Sequence, residues 1–349
     1  MSSSIPKEHR AAVVEKKGAP LTVKTVPTPT PKDHQVLIKV SASGVCFSDH
    51  FAVEGVMGTP FPYTPGHEVV GHLVSKGSGV SDEYKEGSLV GLGWNGGYCH
   101  QCEACRKGEF YSCHSFQVTG VTAHTGGGHQ EYVLAHWTAV VKLPENTGIS
   151  LPEMAPLLCA GLTVNDALRH GKAKAGDVVL IQGIGGLGHL ALQFARKAGF
   201  HVVAVSGSES KRDLALQLGA HDYFAAKDAS KIKEKYGGAK LAVATAPSAA
   251  SIGPLLPLLA RNGDLVIVGV PTDGKNFEFD PLAMVTQRLN VRGLTCGCSI
   301  NNEELVNFAA LGDNKVKAMV QTYKLDDANK AYEEVIKGNP KFRNVIVFE

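Results

Sequence analysis

The sequence predicts an α/β protein of two domains, and three observations support this. Its 349 residues, of which 44% are hydrophobic, exceed what one ordinary core accommodates. Residues 1 to about 150 contain short Val-rich segments broken by Gly and Pro, a pattern typical of β-strands. After residue 152, buried strands alternate with helix-length segments, which indicates βαβ units around a parallel sheet.

The first part of the chain is predicted to be β-rich. The segments QVLIKVSASGV, EVVGHLVSKG and EYVLAHWTAVVKLP each suit strands. The last stretch, from about residue 292, passes through a helix in NEELVNFAALG and ends in a strand in NVIVFE. This stretch is too short to form a domain, so we expect it to pack on one of the other two.

The middle of the chain carries the alternating pattern. DVVLIQ at 177–182 suits a buried parallel strand, and HLALQFARKAG has helical periodicity. The strand HVVAVS, the helix KRDLALQLGA, the strand AKLAVATAP, an Ala/Leu-rich helix and the strand DLVIVGV follow. This order predicts a parallel sheet covered by helices.

Charge and terminal composition exclude several classes of function. The formal net charge of +2 at pH 7 is too small to favour a nucleic-acid or membrane partner. The N-terminus lacks an apolar signal-peptide segment, and no apolar run approaches the length of a membrane span. We therefore expect a cytoplasmic protein, in which clustered cysteines indicate metal ligands rather than disulfides.

A glycine pattern predicts a dinucleotide site. Gly183, Gly185 and Gly188 form G-x-G-x-x-G, together with Gly186 and Leu187, between a predicted strand and a predicted helix. Such glycines allow a tight turn, and the helix N-terminus then binds the pyrophosphate. The alternative is a glycine-rich turn that binds nothing.

The end of the second strand favours NADP(H) over NAD(H). NAD-binding proteins usually place Asp or Glu there, whereas this chain has Ser206. Ser206 and Ser208 can donate hydrogen bonds to a 2′-phosphate, and Lys211 can supply positive charge. The alternative is that this segment only caps the next helix.

Four cysteines within fifteen residues predict a structural zinc site. Cys99, Cys102, Cys105 and Cys113 can close a tetrahedral shell that leaves no open position. An iron–sulfur cluster also uses four cysteines, but the spacing matches none of its usual patterns.

Several motifs in order carry a family resemblance. They are GVCFSD, PGHE, the four-cysteine loop, PLLCAGLTV, GIGGLG and FRNVIVF. With them the chain resembles the zinc-containing alcohol dehydrogenases of the medium-chain dehydrogenase/reductase superfamily. The resemblance implies a GroES-like catalytic domain at 1–153 and 292–349 and a Rossmann dinucleotide-binding domain at 154–291. It also implies an active site in the cleft between them.

The resemblance further implies a catalytic zinc held by Cys46, His67 and Cys159, hence two zinc ions per chain. Glu68 adjoins that zinc in the family, and Asp49 accepts a hydrogen bond from the ligand histidine. Two thiolates temper the charge of the metal, which keeps a fourth position for water or substrate.

The remaining site residues also follow from the resemblance. Ser48 matches the hydroxyl that takes the substrate proton, while Phe51 stands where the family usually has the next relay histidine, one residue after His50. Further expected cofactor contacts are Thr163 against the nicotinamide, Arg343 at the pyrophosphate, and Val268 and Val270 at the end of the predicted strand DLVIVGV. An ordinary surface arginine is the alternative for Arg343.

The resemblance thus predicts a zinc-dependent oxidoreductase that transfers a hydride between NADP(H), or alternatively NAD(H), and a small alcohol or carbonyl compound. Phe51, Met57 and Trp94 suggest an apolar, partly aromatic pocket. One rival function is NADPH-dependent reduction of an activated C=C bond, and another is a non-catalytic NADPH-binding role. We expect a homo-oligomer, either a tetramer or a dimer.

Overall fold

The chain divides into two compact units. The computed structural model describes residues 5–271 and 274–349. One unit comprises the chain up to Cys159 together with Gly297–Glu349, and the other comprises Ala160–Cys296. The domain limits expected from the sequence fall a few residues before these bounds.

The strands and helices are numbered in chain order. The strands are β1 Glu8–Val13, β2 Thr22–Pro27, β3 Gln35–Val45, β4 Glu68–Lys76, β5 Leu89–Leu92, β6 Asn95–Gly97, β7 Gln117–Val118, β8 Tyr132–His136, β9 Val140–Lys142, β10 Val178–Gln182, β11 His201–Ser206, β12 Asp222–Ala225, β13 Ala239–Ala244, β14 Leu259–Ile267, β15 Asn290–Gly293, β16 Val320–Lys324 and β17 Arg343–Val347. The helices are α1 Asp49–Val53, α2 Glu103–Arg106, α3 Leu151–Met154, α4 Ala160–His170, α5 Gly188–Lys197, α6 Arg212–Gln217, α7 Lys231–Tyr236, α8 Ala249–Ile252, α9 Pro281–Gln287, α10 Ser299–Ala310 and α11 Ala328–Ile336. Within the described ranges, no helix is long and apolar enough to cross a membrane.

The first unit is built on a seven-stranded sheet of order β16-β17-β3-β4-β5-β9, with β8 also paired to β3. Its core consists of Val, Ile and Leu side chains such as Val36, Ile38 and Leu73. The long strand β3 runs antiparallel to β4, and Gly44 pairs with Glu68. This register places Cys46, just after β3, next to His67, just before β4.

The second unit is a parallel sheet of order β12-β11-β10-β13-β14-β15. Most residues of its central strands are buried, as the near-continuous apolar sequences predict. The order reverses between β10 and β13, and doubly wound sheets bind ligands at the carboxyl ends of the strands where this happens. The predicted architecture, a β-rich domain and a doubly wound parallel sheet, is confirmed.

One predicted helix is interrupted. The Ala/Leu-rich segment after β13 forms only the short helix α8 and continues as a 3-10 helix, Gly253–Leu258. Pro257 lies inside that segment and lacks the N–H that an α-helix requires. The predicted helix is therefore correct only for its first turn, because the proline prevents a longer helix.

Candidate metal centre and cofactor turn

Three separate segments of the first unit bring the candidate ligands together. Cys46 and His67 meet through the β3–β4 register, and Cys159 follows a buried 3-10 helix, Ala155–Leu158. Asn302 anchors that helix, because its side-chain amide donates to the carbonyl of Leu158 at 3.2 Å.

The result is a compact group of metal-ligating atoms. One ligand atom each from Cys46, His67, Glu68 and Cys159 lies within 4.8 Å of the others, and all four residues are buried. Within the described ranges, His67 Nε2 has no hydrogen-bond partner. Because an unpaired buried nitrogen is costly, a metal ion is the natural partner for it. Sulfur and imidazole nitrogen are the ligands that Zn²⁺ prefers, so the residues present fit zinc.

The electrostatics of this group favour a positive charge. Cys159, followed by His67, lowers the pKa of Cys46 well below its ordinary value, although burial opposes the shift. Burial alone would lower the pKa of His67, but Asp49 and Cys46 together raise it well above normal. Surplus negative charge therefore surrounds the imidazole, and a bound divalent cation would neutralise that charge as a proton on His67 does.

Asp49 contacts two of the candidate ligands, His67 and Cys46. Its Oδ1 lies 3.0 Å from His67 Nδ1, and its Oδ2 accepts from the backbone N–H of Cys46 at 2.9 Å. Burial alone would raise the pKa of Asp49, but the charge of His67 and contacts from His67 and His129 hold it below its usual range. The carboxylate can thus fix the orientation of the His67 ring.

Glu68 and Arg343 form a buried ion pair beside the same group. Arg343 Nη2 donates to Glu68 Oε1, and neither side chain is more than 7% exposed. Burial raises the pKa of Glu68 to about 7, and Arg343 opposes the shift. Arg343 is therefore not an ordinary surface arginine, and its expected contact with the pyrophosphate stays a prediction.

The four-cysteine loop forms a second metal-ligating group. Ligand atoms of Cys99, Cys102, Cys105 and Cys113 also lie within 4.8 Å of one another. Cys99 Sγ and Cys113 Sγ are 3.6 Å apart, close to the sulfur–sulfur edge of about 3.8 Å that four Zn–S bonds of about 2.3 Å impose. Backbone N–H groups of Cys105 and His114 lower the pKa of Cys102 to about 6, whereas burial raises that of Cys105 to about 12.

The proton-relay candidates lie at the start of α1. Ser48 is the N-cap residue, and its side chain makes no capping hydrogen bond, which leaves the hydroxyl available. His50 lies on the same helix, and its Nδ1 is 2.8 Å from the Tyr332 hydroxyl. His50 is thus engaged with Tyr332 of α11.

An aromatic wall borders the metal-ligating group. Trp94 packs edge-on against His67, with the ring centroids 5.0 Å apart. Phe51 and Phe116 belong to the same cluster as Trp94, together with Tyr63. Met57 lies outside this cluster and is 45% exposed.

The glycine turn of the second unit follows β10. Gly183 has a φ of +90°, and Leu187 is the N-cap of α5, which begins at Gly188. A Cβ on Gly188 would lie only 1.8 Å from the carbonyl oxygen of Gly183, so no other residue fits. Gly185 and Gly186 are half-buried, and a Cβ on Gly185 would meet nothing within 4 Å.

The turn after β11 places a cation near the glycine turn. Ser206 ends β11, and Lys211 Nζ donates to the carbonyl of Ile184 at 2.9 Å. The Ser208 hydroxyl contacts that of Ser210 at 2.8 Å, and Tyr223 donates to the Ser208 carbonyl. Sequence reasoning missed Tyr223, because a tyrosine in a strand is ordinarily a core residue.

Three further predicted cofactor residues lie in the second unit. Thr163 is half-buried in α4, one turn after Cys159. Val268 N donates to the carbonyl of Ala244 just past β14, and Val270 is 63% exposed.

The comparisons with known proteins agree with this organisation. Residues 32–145 match the alcohol dehydrogenase GroES-like domain, and residues 186–311 match the zinc-binding dehydrogenase family. The chain is 38% identical to alcohol dehydrogenase patD of Penicillium expansum over 99% of both chains. It superposes on a cinnamyl alcohol dehydrogenase of Sorghum bicolor with a TM-score of 0.87 and 30% identity, covering 98% of each chain. It also superposes on acetophenone reductase of Geotrichum candidum in complex with NAD, with a TM-score of 0.83 and 30% identity over 99% of each chain.

Proposed function

Because the chain belongs to the zinc-containing alcohol dehydrogenases of the medium-chain dehydrogenase/reductase superfamily, an oxidoreductase family, we propose that it transfers a hydride between NADP(H) and a small alcohol or carbonyl compound. NAD(H) is the alternative cofactor. We further propose that Cys46, His67 and Cys159 hold a catalytic zinc, and that the four-cysteine loop holds a structural one.

One observation carries the proposal: the buried cluster of Cys46, His67, Glu68 and Cys159, whose ligand atoms lie within 4.8 Å of one another. A purely structural histidine would satisfy both ring nitrogens within the protein, yet neither ring nitrogen of His67 makes a hydrogen bond within the described ranges. Nδ1 lies 3.0 Å from Asp49 Oδ1, so Nε2 is the nitrogen left for a metal ion. Zinc bound here supplies a Lewis acid that polarises a substrate oxygen.

The residues of the chain supply orientation and proton handling. Asp49 holds His67 Nδ1, so that Nε2 points into the cluster. Ser48 Oγ accepts the proton that an alcohol loses, or donates one to a carbonyl that is being reduced. Phe51 cannot pass that proton further, so its route beyond Ser48 runs through groups other than this side chain.

The aromatic wall supports an apolar or aromatic substrate. Trp94 contacts His67 edge-on, so a substrate held at a metal ion bound by His67 would lie near an indole ring. Phe51 and Phe116 extend the same surface. Such rings stack on flat aromatic substrates more strongly than on short polar alcohols.

The proposed preference for NADP(H) rests on charge. Ser206 replaces a carboxylate, and Lys211 is held at the glycine turn. The negative charge of nearby Glu209 is balanced by Arg212, with which it forms an ion pair at 2.8 Å. A 2′-phosphate therefore meets hydroxyls and a net positive charge.

A steady-state assay with NADPH or NADH and a panel of aliphatic and aromatic aldehydes tests this proposal. We expect NADPH-dependent reduction with the highest kcat/KM on aromatic aldehydes. With an α,β-unsaturated aldehyde, the product should be the allylic alcohol, and a saturated aldehyde would instead identify a C=C reductase.

Cys46→Ser should be inactive, while Cys296→Ser, which alters a buried free cysteine elsewhere, should match the parent. Full activity of Cys46→Ser would contradict the proposal.

We also propose that the chain assembles with copies of itself. In the second unit, Leu282 and Val285 of α9 are 70% and 75% exposed. Apolar side chains this exposed are more stable when another protein surface covers them. Light scattering coupled to size-exclusion chromatography should give the mass of a tetramer or a dimer, and a monomer mass would contradict this part.

A further inference from the structure

The Asp49 carboxylate contacts two other groups besides His67. It is fully buried, with Oδ1 toward His67 and Oδ2 bonded to the backbone N–H of Cys46. His129 Nε2 lies 3.4 Å from the same Oδ2, a close electrostatic contact, and it makes no hydrogen bond to any of the described residues. Since a buried carboxylate is costly unless several donors surround it, each of these contacts stabilises its charge.

The ring of His129 is held so that Nε2 faces Asp49. His129 is fully buried, and its Nδ1 lies 2.9 Å from the hydroxyl of Ser43, which is also fully buried. A bare Nε2 would place its lone pair against the carboxylate, which is repulsive. The favoured state therefore has the proton on Nε2, while Nδ1 accepts from the Ser43 hydroxyl.

The backbone around His129 is fitted to the segment that carries His67. His129 N donates to the carbonyl of Pro65 at 3.0 Å, and Gly128 N donates to that of Gly66 at 2.9 Å. A Cβ on Gly66 would lie 2.6 Å from His129 Nδ1, and one on Gly127 would lie 2.5 Å from the Gly66 oxygen. The run Gly126-Gly127-Gly128-His129 thus packs against Pro65-Gly66-His67 at a distance that only glycines allow.

We propose that His129 is a positioning residue of the catalytic centre, whose Nε2–H, aligned by Ser43, lies against Asp49 and so stabilises the charge of the carboxylate that orients His67. This inference rests on the proposed function, because it assigns His67 to a zinc ion. His129 touches no substrate atom in this account. It acts through Asp49, in the way that outer groups around a metal site tune the ligands.

Four variants of the zinc-loaded full-length protein test the proposal. His129→Phe keeps a flat ring but removes the donor, and His129→Gln restores an N–H near the position of Nε2. Ser43→Ala removes the group that aligns the ring. The matched control is His9→Phe, since His9 is also buried and contacts the same loop through Gln130 at 3.0 Å, but not Asp49.

The first measurement is competition for zinc by a chelating dye. We expect the affinity for one of the two zinc ions to fall about 10- to 100-fold in His129→Phe, as for other groups that support a ligand histidine. The affinity for the second zinc, in the cysteine loop, should stay unchanged. His129→Gln should recover most of the loss, Ser43→Ala should lie between, and His9→Phe should match the parent.

The second measurement separates kcat from KM. In zinc-saturated enzyme, His129→Phe should lower kcat and leave the KM for NADPH unchanged, because the second unit is not altered. Equal zinc affinity in His129→Phe and His9→Phe would overturn the proposal, as would a loss in His129→Phe that Gln does not recover. If His129→Phe does not fold, Ser43→Ala against His9→Phe decides the matter by the same zinc measurement. A parent protein that binds no zinc in the cluster would instead refute the proposed function itself.

Discussion

Removing the charge of Arg343 should destabilise the protein strongly. Arg343 is paired with Glu68, and both side chains are almost completely shielded from water. Arg343→Met keeps a long apolar stem in place but leaves buried Glu68 without its cation, so that the carboxyl group either stays charged without a partner or takes up a proton. A buried charge that loses its partner is far less stable than one at the surface, because water cannot replace the lost contact.

The size of the effect follows from the burial of the pair. Breaking a buried ion pair by removing one partner costs about 3–5 kcal/mol. For a unit of this size, 1 kcal/mol shifts the melting temperature by roughly 2–4 °C. We therefore expect Arg343→Met to melt about 6–20 °C below the parent. The double variant Glu68→Gln/Arg343→Met should recover much of this loss, since no unpaired charge remains.

Differential scanning calorimetry of zinc-saturated proteins at one scan rate and protein concentration measures these shifts. Arg10→Met is the matched control, because Arg10 pairs with Asp326 where the side chains are 45% and 65% exposed. Exposed pairs contribute about 0–1 kcal/mol, so this variant should melt within about 4 °C of the parent. The reasoning fails if Arg343→Met is no less stable than Arg10→Met, or if the double variant is no more stable than Arg343→Met.

Three further predictions concern the cofactor and the proton. Ser206→Asp should shift the ratio of kcat/KM for NADPH to that for NADH toward NADH by at least about tenfold, because the new carboxylate repels a 2′-phosphate; an unchanged ratio would refute the assignment of Ser206. Gly188→Ala should weaken NADPH binding in a fluorescence titration without loss of zinc, because its Cβ would collide with the Gly183 oxygen; parent-like affinity would show that the turn is not the pyrophosphate site. Ser48→Ala should lower kcat by roughly 10²–10⁴-fold, as expected for a lost acid–base group, with zinc content and NADPH affinity nearly unchanged; a parent-like kcat would move the proton relay to another group.

Much of the second unit could be predicted because its signals are local. The strand β10, the glycine turn and α5 are adjacent in sequence, so periodicity and glycine spacing are sufficient to place them. The edge strands β12 and β15 were not predicted, since four residues each carry little pattern of their own. Their pairing with a neighbouring strand defines them, and that information is not local.

The metal-ligating group of the first unit depends on contacts far apart in sequence. Cys46, His67 and Cys159 were singled out through motifs, but only the β3–β4 register and the buried 3-10 helix bring them together. His129 shows more clearly which contacts local sequence patterns cannot predict. A histidine after three glycines is conspicuous in the sequence, yet nothing local indicates that it reaches Asp49.

Zinc analysis of the purified protein alongside turnover tests the central claim most directly. The two ligand groups predict about two zinc ions per chain in the parent. Cys46→Ser should retain about one zinc and a parent-like circular dichroism spectrum but lose turnover, whereas Cys102→Ser should retain about one and melt at a lower temperature. A parent protein with about one zinc or none, together with full turnover, would contradict the account.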